Sequence, residues 1–324
     1  MGFFVFLPLV LPLTAVPIAR LTEQHLHPRG AARLMTAISA VMAVCSVLCL
    51  GLIGVVGTAQ IPGNPLPDSW SDPEVRAALP YHESVGTAAM WLLALVGLAC
   101  ARTVVRHLRV RARARRALSG LPEGPETVGD LAVLPDRSPY AYALPGSPGR
   151  VVVSTGMLDG LAADEREALL AHERAHLRHR HHRYLLTTQL AACVNPFLRP
   201  LQSAVAYSAE RWADEDSAQA VGDRRITARA VARAALVSHA APAPGFAAFA
   251  SPTSPAAAAA AAGPVPRRVA ALLGPVPTSR NWPPAKTPAG LAAMVAAVGT
   301  AASALCALNA AVALLLVLKA VTPL

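Results

Sequence analysis

Residues 164–182 read DEREALLAHERAHLRHRHH, and five of the chain's ten histidines fall within 172–182. Asp164 offers an N-cap carboxylate with Glu167 three residues on, the capping-box spacing, so a helix is expected to begin near Asp164 and run through the histidines. On that helix His172 and His176, four residues apart, lie one turn above each other on one face and can bind the same ion. Glu173 projects beside the pair, within reach of an attacking water but poorly placed as a ligand. Neutral imidazoles suit zinc, and catalytic zinc sites use three protein ligands and leave one position open.

The third ligand must come from elsewhere, and 208–218, SAERWADEDSA, supplies the best candidate. Glu210 and Asp214 are again four apart on one helix face. The first is expected to give the zinc a carboxylate, and the second to hydrogen-bond a ligand histidine and so fix its orientation. A helix is expected over 208–221, facing the first across the ion after the chain turns back at Asn195-Pro196. His179, His181 and His182, mixed with Arg178, Arg180 and Arg183, read as a polar face near lipid headgroups.

Composition sets this site in a membrane protein. The 324-residue chain is 54% hydrophobic, carries a formal charge of +10 and has a positive mean hydropathy. Four uncharged runs, 3–19, 34–57, 85–101 and 290–318, approach or exceed the ~17 to 25 residues that span a bilayer as a helix. The first lacks a basic leading region and a small-residue cleavage site, so it reads as a retained helix kinked by Pro8, Pro12 and Pro17 rather than a signal peptide. The loop before the second run holds Arg20, Arg29 and Arg33 against Glu23. The next loop holds Asp68, Asp72, Glu74 and Glu83 against Arg76, and seven arginines from Arg102 to Arg116 follow the third run. The positive-inside rule then puts the N-terminus and the acidic loop outside and the large polar segment in the cytoplasm, in the plasma membrane. The arginine run abuts a span and reads as a juxtamembrane helix on anionic lipid; no direct nucleic-acid partner is expected. The five cysteines lie in apolar stretches and read as buried free thiols.

The expected fold is a mainly α membrane protein with four transmembrane helices (about 3–19, 34–57, 85–105 and 290–318) and a cytoplasmic α+β zincin-like domain. In that division, 1–106 holds three spans, 107–239 the metalloprotease domain, 240–289 a Pro/Ala-rich flexible loop with a short helix, and 290–318 the last span. Strands at 131–134, 140–144 and 150–154, separated by Pro/Gly punctuation, predict a small antiparallel sheet. The short helix is expected at 267–273, and Trp282 is an interface anchor for the last span.

Taken together, LLAHERAHLRHRHH and ERWADEDSA resemble the integral-membrane zinc metallopeptidases of the BlaR/MecR antirepressor type, and more distantly HtpX and the CAAX prenyl proteases. The resemblance implies His172, His176 and Glu210 as ligands of one zinc ion, Glu173 as general base and Asp214 as the carboxylate behind a ligand. It also implies a protein substrate, by analogy a BlaI/MecI-like repressor. The chain departs from the receptors in lacking the Ser-x-x-Lys acylation site of a penicillin-binding sensor, so no β-lactam receptor role is expected. The reading that follows is a zinc endopeptidase in regulated signalling. Its rivals are an HtpX-like quality-control protease and a non-catalytic metal sensor, the one alternative in which Glu173 is dispensable. Tyr207, Arg211 and the histidines after His176 are candidate oxyanion donors, and 150–154 is a candidate edge strand for the substrate.

Overall fold

The computed structural model describes residues 6–59, 83–119, 127–239, 264–277 and 287–321. The acidic loop, the stretch 240–263 and Trp282 lie outside the described residues. In chain order the helices are α1 (Leu7–Val10), a 3-10 turn (Leu11–Thr14), α2 (Ala15–His25), α3 (Pro28–Ala59) and α4 (Glu83–Ser119). After the sheet come α5 (Thr155–Asp159), α6 (Ala163–Arg178), α7 (His181–Val194), a 3-10 turn (Pro196–Leu198), α8 (Arg199–Val221), α9 (Arg224–His239), α10 (Pro264–Leu273) and α11 (Pro288–Val321).

Among the described residues three segments are long and apolar enough to cross a membrane: Pro28–Val55, Ser84–Arg116 and Ala293–Ala313. The first apolar run is not among them, and four spans are not confirmed. Proline has no N–H and cannot complete an α-helical ladder, and around Pro12 the chain breaks into a four-residue α1, a four-residue 3-10 turn and an 11-residue α2. Instead of crossing as one rod, α2 buries Ala15, Ile18 and Ala19 in a core shared with Met35, Ile38 and Met42 of α3 and Leu201, Ala204 and Val205 of α8. The buried positions of α3 recur at Ala31, Met35, Ile38, Met42, Cys45 and Cys49, one stripe of a helix, while Val44 and Leu48 point outward. On α4 Trp91 is 74% exposed and on α11 Leu305 is 67% exposed, outward apolar surfaces that suit lipid. The arginine run simply continues α4, whose 37 residues extend well past the length a bilayer requires.

The sheet has four strands, β1 (Thr127–Val128), β2 (Leu131–Leu134), β3 (Ala141–Leu144) and β4 (Arg150–Ser154), in the order β1-β2-β4-β3. It is mixed rather than antiparallel: β4 pairs antiparallel with β3 but parallel with β2. Strand β4 is therefore central and has no free edge for a substrate, contrary to the expectation. Val151, Val152 and Val153 are all fully buried, the continuous apolar run of a strand covered on both faces. The edge strand packed against α6 is β3.

Behind β4, Gly156 is a requirement of packing. A Cβ there would lie 2.1 Å from the Arg137 carbonyl oxygen, and the glycine's own N–H donates to Asp136 at 2.9 Å. The start of α6 shifts by two positions from the expected box: Ala162 is the N-cap, and its N–H donates to Glu165 Oε2 at 3.0 Å. Helix α8 begins at Arg199, earlier than 208, and ends on Gly222, whose φ of 78° is the left-handed cap that glycine adopts without strain.

Candidate metal and catalytic site

Helices α6 and α8 pack along each other, and both carry small, fully buried residues, Ala168 and Ala175 on one and Ala209 and Ala213 on the other. Ser217 Oγ donates to the Ala168 carbonyl at 2.7 Å and pins the pair. Close approach of the backbones lets the longer side chains of the two helices meet. His172 Nε2 lies 3.1 Å from His176 Nε2, and each is 3.5 Å from a carboxylate oxygen of Glu210. For comparison, bonds of ~2.0 Å in a tetrahedral zinc site put neighbouring ligand atoms about 3.3 Å apart. His172, His176 and Glu210 thus form a group that could hold a metal ion.

Asp214 is fully buried, with Oδ1 3.0 Å from His172 Nδ1. Its place behind the imidazole, on the side away from Glu210, is that of a carboxylate that orients a metal-binding histidine. Burial opposes a charge on His172, but Asp214 and Glu210 outweigh it and raise its pKa to about 10. His176 goes the other way, pushed down to about 4 chiefly by burial. Burial pushes Glu173 up to about 7, with Glu210 adding to the rise and His172 opposing it.

Sequence reasoning missed Arg268. From α10 its Nε and one terminal nitrogen bond the two oxygens of Asp214 at 2.8 and 2.6 Å, and the other terminal nitrogen meets Glu210 Oε2 at 2.9 Å. Burial works to raise both carboxyls, yet the guanidinium overrides it and holds Glu210 and Asp214 below their ordinary range. With His172 neutral and Glu173 ionised, as ligand and base would have to be, Glu173, Glu210 and Asp214 against this single guanidinium leave two negative charges, the complement of a divalent cation. The signal in the sequence was two adjacent arginines on an otherwise apolar ten-residue helix. One of them, Arg267, reaches Glu23 at 2.9 Å and lies over the Tyr207 ring, leaving the other for the interior.

The later histidines are not a lipid-facing surface. His181 is 1% exposed, with Nδ1 2.8 Å from His176 Nδ1. His179 Nε2 donates to Asp216 Oδ2, 2.5 Å away, and the ring stacks on Trp212. His182 is half-buried, and burial together with Arg111 pushes its pKa down to about 4. Of the oxyanion candidates, Arg211 is taken up by Glu215 at 3.0 Å.

With this geometry in view, comparison with known proteins is informative over part of the chain. Residues 108–194 match the model of Peptidase family M48. That stretch contains His172, Glu173 and His176 and ends before Glu210, Asp214 and Arg268. Protease HtpX of Thioalkalivibrio sulfidiphilus (strain HL-EbGR7) is 43% identical over 68 residues, 21% of this chain and 21% of that protein. The matched stretch thus spans about a fifth of that relative's length. No solved structure matches. Both matches support an HtpX-like membrane metallopeptidase, and neither supports the BlaR/MecR type.

Proposed function

We propose that the chain is a membrane-embedded zinc endopeptidase in which His172, His176 and Glu210 hold one zinc ion, Asp214 orients His172, and Glu173 is the general base. One observation carries the reading: three donors converge within 3.1 to 3.5 Å beside a buried carboxyl poised near neutrality. When bound, the ion would supply Lewis acidity, polarising a peptide carbonyl and making water a usable nucleophile at neutral pH. Glu173 takes the proton of the attacking water and returns it to the leaving amine. Arg268 keeps Glu210 and Asp214 ionised, so that one can bind and the other can orient.

Strand β3 receives the substrate. It is the edge strand beside α6, and the backbone of Ala143 is close enough to the Glu173 carboxylate to favour its ionised form. An extended peptide added to that edge brings its carbonyl to the base. Arg111 and Arg115 of α4 both donate to the Pro145 carbonyl, at 3.2 and 3.1 Å, and tie the end of this strand to a spanning helix. The substrate is accordingly an extended polypeptide segment presented near the membrane surface. A BlaI/MecI-like repressor has only the original resemblance in its favour, whereas the match to an HtpX protease favours the quality-control alternative.

The arginines at the start of α3 and in the second half of α4 support a peptidase domain on the cytoplasmic side of the plasma membrane. A first run that does not cross as one helix leaves the outside placement of the N-terminus without its support.

The deciding experiment compares wild type with Glu173→Gln in detergent, measuring zinc content and cleavage of a broad peptide pool. Both proteins are expected to hold about one zinc per chain, and the variant to lose at least about 10²-fold in kcat/KM. A variant that cuts as fast as wild type overturns the reading. Cleavage of many unrelated peptides marks a quality-control enzyme, and cleavage confined to one partner marks a signalling one.

A further inference from the structure

Resting on the assignment of His172, His176 and Glu210 as metal ligands, the geometry points to a residue that nothing above assigns. We propose that His181 is the positioning residue of His176: it accepts the Nδ1 hydrogen of that imidazole and so fixes both the tautomer and the ring plane that aim Nε2 at the metal.

His176 Nε2 faces His172 and Glu210 and must present a lone pair to bind an ion. The hydrogen of the neutral ring is therefore on Nδ1. The atom it meets is His181 Nδ1, at 2.8 Å, with the two rings at right angles (88°) and 4.7 Å between centroids. At that distance one of the two nitrogens carries the hydrogen and the other accepts it, so the lone pair of His181 Nδ1 takes the N–H of His176. His181 then carries its own hydrogen on Nε2, an atom that is buried and has no hydrogen-bond partner among the described residues. Its acceptor face is thereby committed to His176.

The backbone shows how the ring reaches that place. Helix α6 ends at Arg178, and Arg180 adopts the left-handed conformation (φ 54°, ψ 42°), which a non-glycine residue rarely occupies. This one-residue reversal brings His181 back beneath His176 instead of continuing the helix past it. Trp212, 1% exposed, then confines the ring with its centroid at 4.8 Å, and the guanidinium groups of Arg29 and Arg33 of α3 lie over the same indole at 5.7 and 5.4 Å. The two ligand histidines are thus supported differently, His172 by a carboxylate and His176 by an imidazole. A carboxylate at 181 would add a third net negative charge to a buried site whose two are already matched to a dication.

The test uses the full chain in detergent, with zinc affinity measured against a chelating dye and the visible spectrum recorded after loading with cobalt(II). His181→Phe fills the space against Trp212 without an acceptor. His181→Asn places its amide oxygen near the position of Nδ1, and His182→Asn is a neighbour that touches neither ligand. Loss of a supporting partner to a ligand histidine weakens binding by about 10- to 100-fold. His181→Phe is expected to fall in that range with a shifted cobalt band, while His181→Asn and His182→Asn stay within about threefold of wild type with the band unmoved.

Wild-type affinity and spectrum in His181→Phe would overturn the proposal while leaving the ligand assignment intact. If instead His176→Ala binds zinc as tightly as wild type, the ligand assignment itself fails and the role of His181 with it. Where His181→Phe does not fold, imidazole tautomers decide, read by nitrogen-15 NMR in zinc-loaded wild type. Hydrogen on Nδ1 of His176 and Nε2 of His181 is the expected pattern, and hydrogen on Nδ1 of His181 overturns it.

Discussion

Arg268 grips Asp214 with two nitrogens, at 2.8 and 2.6 Å, while its third meets Glu210, so one guanidinium serves two of the carboxylates of α8. Asp214 is fully buried, and its charge has no water to fall back on. Removing one partner of a buried pair typically costs about 3 to 5 kcal/mol, because the other charge is left uncompensated. Arg268→Ala should therefore lower the melting temperature of the metal-free protein in detergent and weaken zinc binding. Arg268→Lys should recover only part of either, since an ammonium cannot bridge two carboxylates in a planar fork. Melting and zinc content equal to wild type in Arg268→Ala would refute this.

The same pair sets a pH signature for the metal-free fold. Asp214 has its folded pKa depressed, so it contributes stability that is fully present above its ordinary carboxylate value. That stability is lost as pH falls through the lowered one. Arg268→Ala removes the cause of the depression, and acid unfolding should then begin at higher pH than in wild type. A melting curve recorded between pH 3 and 7 (about the range over which carboxylates titrate) reads the difference, and superimposable acid limbs would contradict it.

Catalysis should have its own acid limb. Glu173 must be ionised to accept a proton, and burial raises its pKa to about 7 in the metal-free site. A bound dication favours the ionised form and pulls that value down. Log kcat/KM should therefore fall as pH drops, with a midpoint at or below about 7 and a slope near one. A kcat/KM that rises as pH falls from about 8 to 5 would exclude Glu173 as the base.

What could be read from the sequence divides along the line between local and distant order. His172, His176, Glu210 and Asp214 were legible because each pair sits four apart on its helix, and helical spacing alone puts such residues on one face. The three longer strands were legible from the Pro and Gly that bound them, but their pairing was not. A return connection that makes β2 and β4 parallel leaves no local trace beyond the Val151 to Val153 run, whose burial on both faces marks a central strand. Arg268 comes from 54 residues beyond Asp214, across the Pro/Ala-rich stretch, and no periodicity connects them. His181 was hidden by the left-handed turn at Arg180, a conformation that the residue type argues against.

Gly156 should tolerate no side chain. Its Cβ would overlap the Arg137 carbonyl, and that backbone is held in place by Thr155 Oγ1 and the Gly156 N–H, both donating to Asp136. Relief requires moving the β2–β3 connection or the start of α5. Gly156→Ala is expected to destabilise by at least about 1 to 3 kcal/mol, the scale of an overpacked core. Comparing its melting in detergent with that of Gly222→Ala separates a packing clash from φ strain, since a Cβ at Gly222 meets nothing within 4 Å.

The prolines of the first apolar run lead to the last prediction. Pro12 has no N–H, so the carbonyl of Pro8, four residues before it, lacks its helical donor. Ser46 Oγ of α3 lies 3.1 Å from that carbonyl and shares its one hydrogen between it and the Met42 carbonyl at 2.9 Å. Asn195 completes the repair: its amide donates to the Leu9 carbonyl at 3.1 Å and to Ser46 Oγ at 3.2 Å, and its Oδ1 accepts the Phe197 N–H at 3.1 Å. The residue that breaks the chain between α7 and α8 therefore also satisfies the backbone freed by a proline break far away in sequence. Asn195→Leu keeps the volume and takes the side-chain partner from the Leu9 carbonyl and the Phe197 N–H in a partly buried setting, at up to about 1 to 3 kcal/mol for each group left unsatisfied. It should lower the melting temperature and expose residues 6–25 (through the end of α2) to added protease, while Asn195→Asp, which keeps an acceptor for Phe197 but loses the donors, should fall between it and wild type. Equal protease resistance in Asn195→Leu and wild type would show that the broken run is held by its apolar contacts alone.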